Sequence, residues 1–223
     1  MGTRRIMNSR RVHLIAGASL LVLVAAGCSD DGSTDGPETV EAPPTSILDG
    51  TTTLLPPEIP GASGYVFRSP SDAAGEDDAF TYDETAVPVG ATVNVAADEE
   101  GERTTVTFSA RGLAPNRDFG VHVHTRRCGS DPADSGPHYQ NMMDPAASDE
   151  APSSDPAYAN PENEVWLDVT TDAGGSAEAT TTVDWAFRPD EANSVVLHEK
   201  HTMTGPGEAG MAGARLACLD GDF

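Results

Sequence analysis

The feature that most constrains the fold is a series of short segments rich in valine and threonine. They include ATVNVAAD, RTTVTFSARGL, DFGVHVHT, NEVWLDVTTD, SAEATTTVDWAF and SVVLHEK. Several alternate apolar and polar residues, and Gly, Pro, Asp or Asn separates them, which is typical of β-strands joined by turns. No segment has a helical hydrophobic period of useful length. We therefore predict one all-β domain over residues 80–223, an antiparallel sandwich or barrel with a single core.

Two connections are too long for simple hairpins. One runs from Gln140 to Asn163 and the other from His201 to Ala214. Loops of this size in a compact β domain are usually functional or mobile. We therefore expect these two loops to be functional or mobile.

The first 27 residues have the pattern of an export signal. Four arginines precede the apolar run LIAGASLLVLVAAG, and Cys28 follows it. A basic start, a short apolar stretch and small residues before the cut are typical of a signal peptide, and the run is short for a membrane span. The ending VAAGC resembles the bacterial lipobox, which predicts a lipid on Cys28 and anchoring to the outer face of the bacterial cell membrane. The alternative is a plain signal peptide that is cut nearby.

Residues 28–79 are acidic and rich in Pro, Gly, Ser and Thr, so we predict a solvated tether there, although the patches SILDG and GYVFRSP leave a strand open. The chain holds 13 basic and 36 acidic residues. Removal of residues 1–27, with four arginines and no acid, leaves 9 basic residues and a net charge of −27. Such a chain repels nucleic acid, anionic headgroups and anionic substrates, so we expect no nucleic-acid partner.

The histidines indicate a metal site. His122 and His124 flank one valine, and residues two apart on a strand face the same way. Such a pair alone is more often the polar stripe of a strand, but His138 follows a Gly-Pro turn and His198 ends the strand SVVL. Three or four imidazoles without a thiolate favour copper.

The three cysteines fit an exported protein. With Cys28 lipidated, Cys128 and Cys218 remain as one candidate pair. An oxidising compartment favours a disulfide, and the alternative is a thiolate metal ligand.

The segments GVHVH, GPHYQ, SVVLHEK and AGARLAC, in this order, resemble the copper/zinc superoxide dismutase family. The resemblance implies an eight-stranded antiparallel Greek-key β-barrel and a disulfide between Cys128 and Cys218. It also implies that Arg215 guides and hydrogen-bonds the anion, and that His138 supplies a proton. The copper ligands that it implies are His122, His124, His138 and His198.

The chain departs from the family pattern at the zinc site. The family uses further histidines after the GPHYQ-like segment, whereas no histidine lies between His138 and His198 here. Zinc sites are rich in Cys and His, so we predict copper without zinc. Another group must then hold the free nitrogen of His138, and we name the carboxylate of Glu164 as the candidate, the alternative being that Glu164 is an exposed acid at the end of a strand. We expect His201 to be an exposed loop histidine, and a local basic patch is predicted from Arg126, Arg127, Lys200 and Arg215.

The implied activity is copper-dependent dismutation of superoxide to dioxygen and hydrogen peroxide. The rival hypothesis is an exported copper-binding or copper-sequestering protein on the same fold, which needs the four histidines but not Arg215. A relative without metal is a third reading, which the four ligand positions disfavour. A homodimer stays open.

Overall fold

The computed structural model describes residues 63–72, 79–221 and 223. These residues form ten β-strands and two short 3-10 helices, Pro70–Asp72 and Pro132–Ser135. The strands are β1 Ser63–Val66, β2 Ala79–Thr81, β3 Thr92–Glu100, β4 Arg103–Arg111, β5 Asp118–Phe119, β6 Val121–His124, β7 Val169–Thr170, β8 Ala177–Val183, β9 Ser194–His198 and β10 Arg215–Asp220.

Eight of the strands make two four-stranded antiparallel sheets. One sheet has the order β1-β3-β4-β8 and the other has the order β2-β10-β9-β6, while β5 and β7 form a separate pair. The chain passes repeatedly from one sheet to the other, which gives Greek-key connections. The predicted all-β, eight-stranded fold with long loops is confirmed.

The sequence of β4 shows why these segments form half-buried strands. Val106 and Phe108 are fully buried, whereas Thr105 and Thr107 lie on the other face beside Thr182 and Thr180 of β8. Period-two alternation of this kind places one face of the sheet on the core. The β-branched threonines suit the outer face because they pack across neighbouring strands.

The core lies between the two sheets. Its largest fully buried side chains include Phe67, Phe108, Phe119, Leu197 and Leu219. At one end Tyr139 stacks on Trp185 with ring centroids 5.6 Å apart. This packing anchors the segment that follows His138.

The folded region begins before the predicted boundary at Phe80. Strand β1 pairs with β3, and Phe67 is completely buried although it lies within the segment predicted as a tether. This strand is hard to predict from the sequence, because the Gly, Ser and Pro residues that flank it are typical of a linker. The patch GYVFRSP is therefore part of the sheet, an option that the sequence left open.

The predicted signal peptide, the lipidation at Cys28 and the tether up to residue 62 lie outside the described residues, and these stay predictions. Within residues 63–72, 79–221 and 223, no helix is long and apolar enough to cross a membrane.

The predicted disulfide is present. Cys128 and Cys218 are bonded across a sequence separation of 90 residues. The bond joins the loop after β6 to the middle of β10. The bond therefore holds the loop that leads to His138 against the sheet.

Candidate metal centre

Four histidines meet on one face of the sheet that contains β6, β9 and β10. His122 and His124 lie on β6, and His198 ends the neighbouring strand β9. His138 approaches from the other side, where it forms a β-bridge with His124. Two adjacent strands and one loop thus bring together residues that are up to 76 positions apart.

The four side chains face one point. One ring nitrogen from each lies within 4.8 Å of those from the other three. The ring centroids of His122 and His138 are 4.1 Å apart, and Nε2 of His124 is 3.3 Å from Nε2 of His198. This is the spacing that ligands of a single cation require.

Hydrogen bonds hold the outer nitrogens of three of the rings. Nδ1 of His124 is 2.9 Å from the Gly136 oxygen, and Nδ1 of His198 is 3.4 Å from the Gly213 oxygen. Nδ1 of His138 is 3.0 Å from Oε2 of Glu164. Because carbonyl and carboxylate oxygens only accept, each Nδ1 carries a proton and each Nε2 keeps a free lone pair.

His122 is turned the other way. Its Nε2 lies 2.6 Å from Oγ1 of Thr202, and its buried Nδ1 has no hydrogen-bond partner among the described residues. An unpaired nitrogen in a fully buried ring is costly unless something binds it. His122 therefore presents Nδ1 to the centre, where the other three rings present Nε2.

Three of the four rings stay neutral, and so able to bind a cation, at neutral pH. Burial, followed by the neighbouring imidazoles, lowers the pKa of both His122 and His124 well below 6.5. Burial likewise lowers the pKa of His198 to about 3. Neutral imidazoles keep the lone pairs that a metal needs.

Glu164 lies where the sequence analysis expected a carboxylate. It is 2 % exposed and accepts hydrogen bonds from His138, from Nε2 of Gln140 at 2.8 Å and from Nε1 of Trp166 at 2.8 Å. Burial alone would raise the pKa of Glu164, but His138 and the other donors lower it below its usual 4.5. An ionised carboxylate therefore orients His138.

Arg215 borders the same centre. Its Nη1 donates to the Pro132 oxygen and to Oγ of Ser135, both at 2.9 Å, and its Nη2 donates to the Gly136 oxygen at 2.7 Å. Gly136 has φ 72°, a conformation that glycine adopts without strain, and its oxygen also binds His124. The guanidinium and one imidazole are thus aligned by the same turn.

The family model for copper/zinc superoxide dismutase matches residues 89–219, which include the four histidines, Glu164, Arg215 and both bonded cysteines. The chain belongs to the copper/zinc superoxide dismutase family. No curated protein matches the chain with significance. The solved structure of a double mutant of an SOD-like protein from Bacillus subtilis is similar at 17% identity and a TM-score of 0.39, covering 58% of this chain and 86% of that one.

In this family member a cleft of about 730 Å³ leads to the histidines. His138, His198, Glu164 and Arg215 line it, together with parts of both long loops. His122 and His124 are fully buried behind them. The cleft is therefore the side from which the histidines are reached.

The predicted basic patch is reduced in the structure. Arg126 pairs with Asp149, and Nη1 of Arg127 lies 3.3 Å from Oδ2 of Asp220. Carboxylates thus offset two of its cations, and Arg215 is the member of the patch that lines the cleft.

His201 is apart from the cluster. It is exposed, as predicted, and its Nε2 donates to the Val169 oxygen at 3.0 Å.

The residues that contact the outer sides of the rings and of Glu164 were not predicted from the sequence. Thr202 contacts His122, Asp168 contacts Thr202, and Trp166 with Gln140 supports Glu164. None of these residues has a local pattern that marks it, and the contacts of Thr202, Asp168 and Gln140 join segments that are distant in the sequence. The nearest sequence clue is the run HEKHT, which places Thr202 four residues after His198.

Proposed function

We propose that this family member is a copper-dependent superoxide dismutase, which converts two superoxide anions and two protons into dioxygen and hydrogen peroxide. The observation that supports it most is the arrangement of ring nitrogens. The unpartnered Nδ1 of His122 faces the cluster, and hydrogen bonds leave Nε2 free on His124, His138 and His198. Four nitrogen donors are thereby available to one ion.

The donor set fits copper. Four imidazoles without a thiolate suit copper, which when bound supplies an electron acceptor and donor by alternating between two oxidation states. Zinc has no redox chemistry and normally takes four Cys or His ligands in a structural site. We propose copper without zinc, because the segment between His138 and His198 holds no further histidine and Glu164 already engages His138.

Arg215 and His138 are the residues that we assign to the substrate. The acceptors of Arg215 are neutral oxygens, so its positive charge remains available to an anion in the cleft. The His138 side chain is 17% exposed, whereas His122, His124 and His198 are buried. We propose that Nε2 of His138 would take up a proton from solvent when it does not hold the ion, and would pass that proton to the product.

Metal analysis and kinetics of the wild type and Arg215→Ala test the proposal. We expect about one copper per chain, a nitrogen-ligated tetragonal electron paramagnetic resonance spectrum, and rapid decay of superoxide. Arg215→Ala should keep its copper and lose roughly 10- to 100-fold in rate, since a charge-assisted hydrogen bond to the anion is removed. Arg103→Ala, which removes an exposed arginine paired with Asp184, is the control and should react like the wild type.

A copper-binding protein without dismutase activity is the second candidate. The acidic lining of the cleft favours it, since Asp144, Asp149 and Glu191 lie there beside Glu164. Such a protein would bind copper with the same spectrum but would not accelerate the decay of superoxide. The wild-type rate per bound copper separates the two.

We also propose that the protein is exported and anchored through a lipid on Cys28 to the outer face of the bacterial cell membrane. The support is the signal-like pattern of residues 1–27 and the disulfide in the folded domain. Mass spectrometry of the protein from membranes should find an acylated Cys28 at the N-terminus. An unmodified N-terminus would contradict the anchor.

A further inference from the structure

His122 is the only one of the four rings whose outer nitrogen meets a hydroxyl. Nε2 of His122 is 2.6 Å from Oγ1 of Thr202, in the loop that follows β9. The other three rings meet carbonyl or carboxylate oxygens, which only accept. A hydroxyl both donates and accepts, so Thr202 alone does not decide where the proton of His122 lies.

Asp168 decides it. Oγ1 of Thr202 donates to Oδ1 of Asp168 at 2.7 Å, and the backbone N–H of Thr202 donates to Oδ2 of the same carboxylate at 2.6 Å. The single hydroxyl proton of Thr202 is therefore committed to Asp168. Its oxygen is left as an acceptor, and Nε2 of His122 must be the donor.

We propose that Thr202 and Asp168 are positioning residues for the metal centre, a role that rests on the copper site proposed above. Through the Thr202 hydroxyl, the Asp168 carboxylate keeps the proton of His122 on Nε2 and leaves the Nδ1 lone pair for the metal. His122 itself is completely buried, so no water replaces the hydroxyl as acceptor. The pair also fixes the plane of the ring, because the Thr202 backbone is held by the same carboxylate.

The centre is consequently supported by two carboxylates that act differently. Glu164 contacts His138 directly, whereas Asp168 acts on His122 through a hydroxyl. Oδ1 of Asp168 is 3.8 Å from Nε2 of His122, beyond a hydrogen bond. Partners of metal-bound imidazoles orient the ring and raise its basicity, and their loss typically lowers metal affinity about 10- to 100-fold.

A purely structural role is the competing explanation, in which Thr202 and Asp168 only fasten the loop after β9 to the strand region before β7. The two roles differ in what a conservative variant does. A structural role depends on packing and on the backbone hydrogen bond, which Thr202→Val keeps. A positioning role depends on the hydroxyl, which Thr202→Ser keeps and Thr202→Val removes.

The test compares Thr202→Val, Thr202→Ser, Asp168→Asn and the wild type, with Thr204→Val as the matched control on an exposed threonine of the same loop. The full domain is freed of metal and titrated with copper(II) against a competing chelator, and the electron paramagnetic resonance spectrum of each loaded protein is recorded. Circular dichroism checks that each apoprotein is folded. Asp168→Asn keeps the side-chain size and serves if Thr202→Val does not fold.

We expect Thr202→Val to bind copper(II) about 10- to 100-fold more weakly and to change the copper hyperfine splitting, because the His122 proton loses its acceptor. Thr202→Ser and Thr204→Val should match the wild type, and Asp168→Asn should shift affinity and spectrum in the direction of Thr202→Val. A loaded Thr202→Val or Asp168→Asn with wild-type affinity and spectrum overturns the inference, and so does a Thr202→Ser that is as impaired as Thr202→Val. A wild type that binds no copper contradicts the proposed function itself.

Discussion

The four imidazoles differ in what holds them, and this difference identifies the contact that is most sensitive to charge. His124 and His198 donate to backbone oxygens, which are neutral. His138 donates to the Glu164 carboxylate, whose charge strengthens the hydrogen bond. A substitution at Glu164 that preserves shape therefore separates the effect of charge from the effect of packing.

Glu164→Gln should weaken copper(II) binding by about 10- to 100-fold. The amide lacks the negative charge, and its NH₂ group would face one of the donors that now point at Glu164, namely His138, Gln140 and Trp166. A competition titration measures the change. Glu162→Gln removes an exposed acid two positions away and should bind copper like the wild type. Equal affinity of Glu164→Gln and Glu162→Gln would show that Glu164 does not tune the centre.

Strands β6 and β9 supply three of the four rings, and Gly120 is the point where the loop after β9 packs against the start of β6. A Cβ on Gly120 would lie 2.6 Å from Cβ of Ala212 and 2.7 Å from the Lys200 oxygen. The Gly120 oxygen also accepts the His198 backbone N–H at 2.7 Å. Only a glycine lets these segments approach so closely.

Gly120→Ala should reduce the free energy of unfolding by roughly 1–3 kcal/mol, because the extra methyl overpacks a closed contact. It should also weaken copper binding, since the loop that must move carries Thr202. Urea unfolding and the copper titration measure the two effects. Gly174→Ala, at an exposed turn position, should change the stability much less. Wild-type stability in Gly120→Ala would mean that the loop yields without cost.

The disulfide connects β10 to the loop whose oxygens accept hydrogen bonds from Arg215. Arg215 lies at the start of β10, and its acceptors, Pro132, Ser135 and Gly136, lie in the loop that Cys128 fastens to Cys218. The bond therefore keeps the guanidinium and its acceptors in register, in addition to restricting the unfolded chain.

Replacing both Cys128 and Cys218 with serine should lower the free energy of unfolding by about 2–5 kcal/mol. We also expect a lower rate of superoxide decay per bound copper, because the loop that aligns Arg215 is released while the four histidines are retained. Urea unfolding, copper content and the decay rate are measured on one preparation. Unchanged stability and an unchanged decay rate would show that the disulfide does not align Arg215.

For the molecule as a whole, the sequence predicts two kinds of feature. These are strands with a repeating local pattern and sites whose motifs occur in a known order. Alternation predicts the sheets, and the spacing of His122 and His124 places them on one face of a strand. The contact of Glu164 with His138 is also predicted. No histidine lies between His138 and His198, so another group must bind the free nitrogen of His138. The roles of Thr202 and Asp168 are not predicted, since 34 residues separate them and neither lies in a recognisable motif. Nor is β1, because its short length and linker-like flanks conceal it.

Burying three neutral histidines in one centre makes the stability of the apoprotein depend on pH. The pKa of His122, His124 and His198 is lowered in the folded state, so between that lowered value and 6.5 the unfolded chain binds more protons than the folded one. The stability from this source is complete above 6.5 and is lost as the pH falls below it. Metal-free protein should therefore be more sensitive to mild acid than its carboxylates alone would make it.

We expect the free energy of unfolding of the apoprotein to fall by about 4 kcal/mol between about pH 7.5 and about pH 5.5, which is about 1.4 kcal/mol for each of the three rings. Urea unfolding at a series of pH values measures this dependence. His124→Gln removes one of the three proton-binding differences and should reduce the pH dependence by about a third, whatever it does to the absolute stability. His201→Asn removes an exposed histidine outside the cluster and should leave the dependence unchanged. A pH dependence that is the same in the wild type and in His124→Gln would mean that the buried rings titrate alike in the folded and unfolded chains.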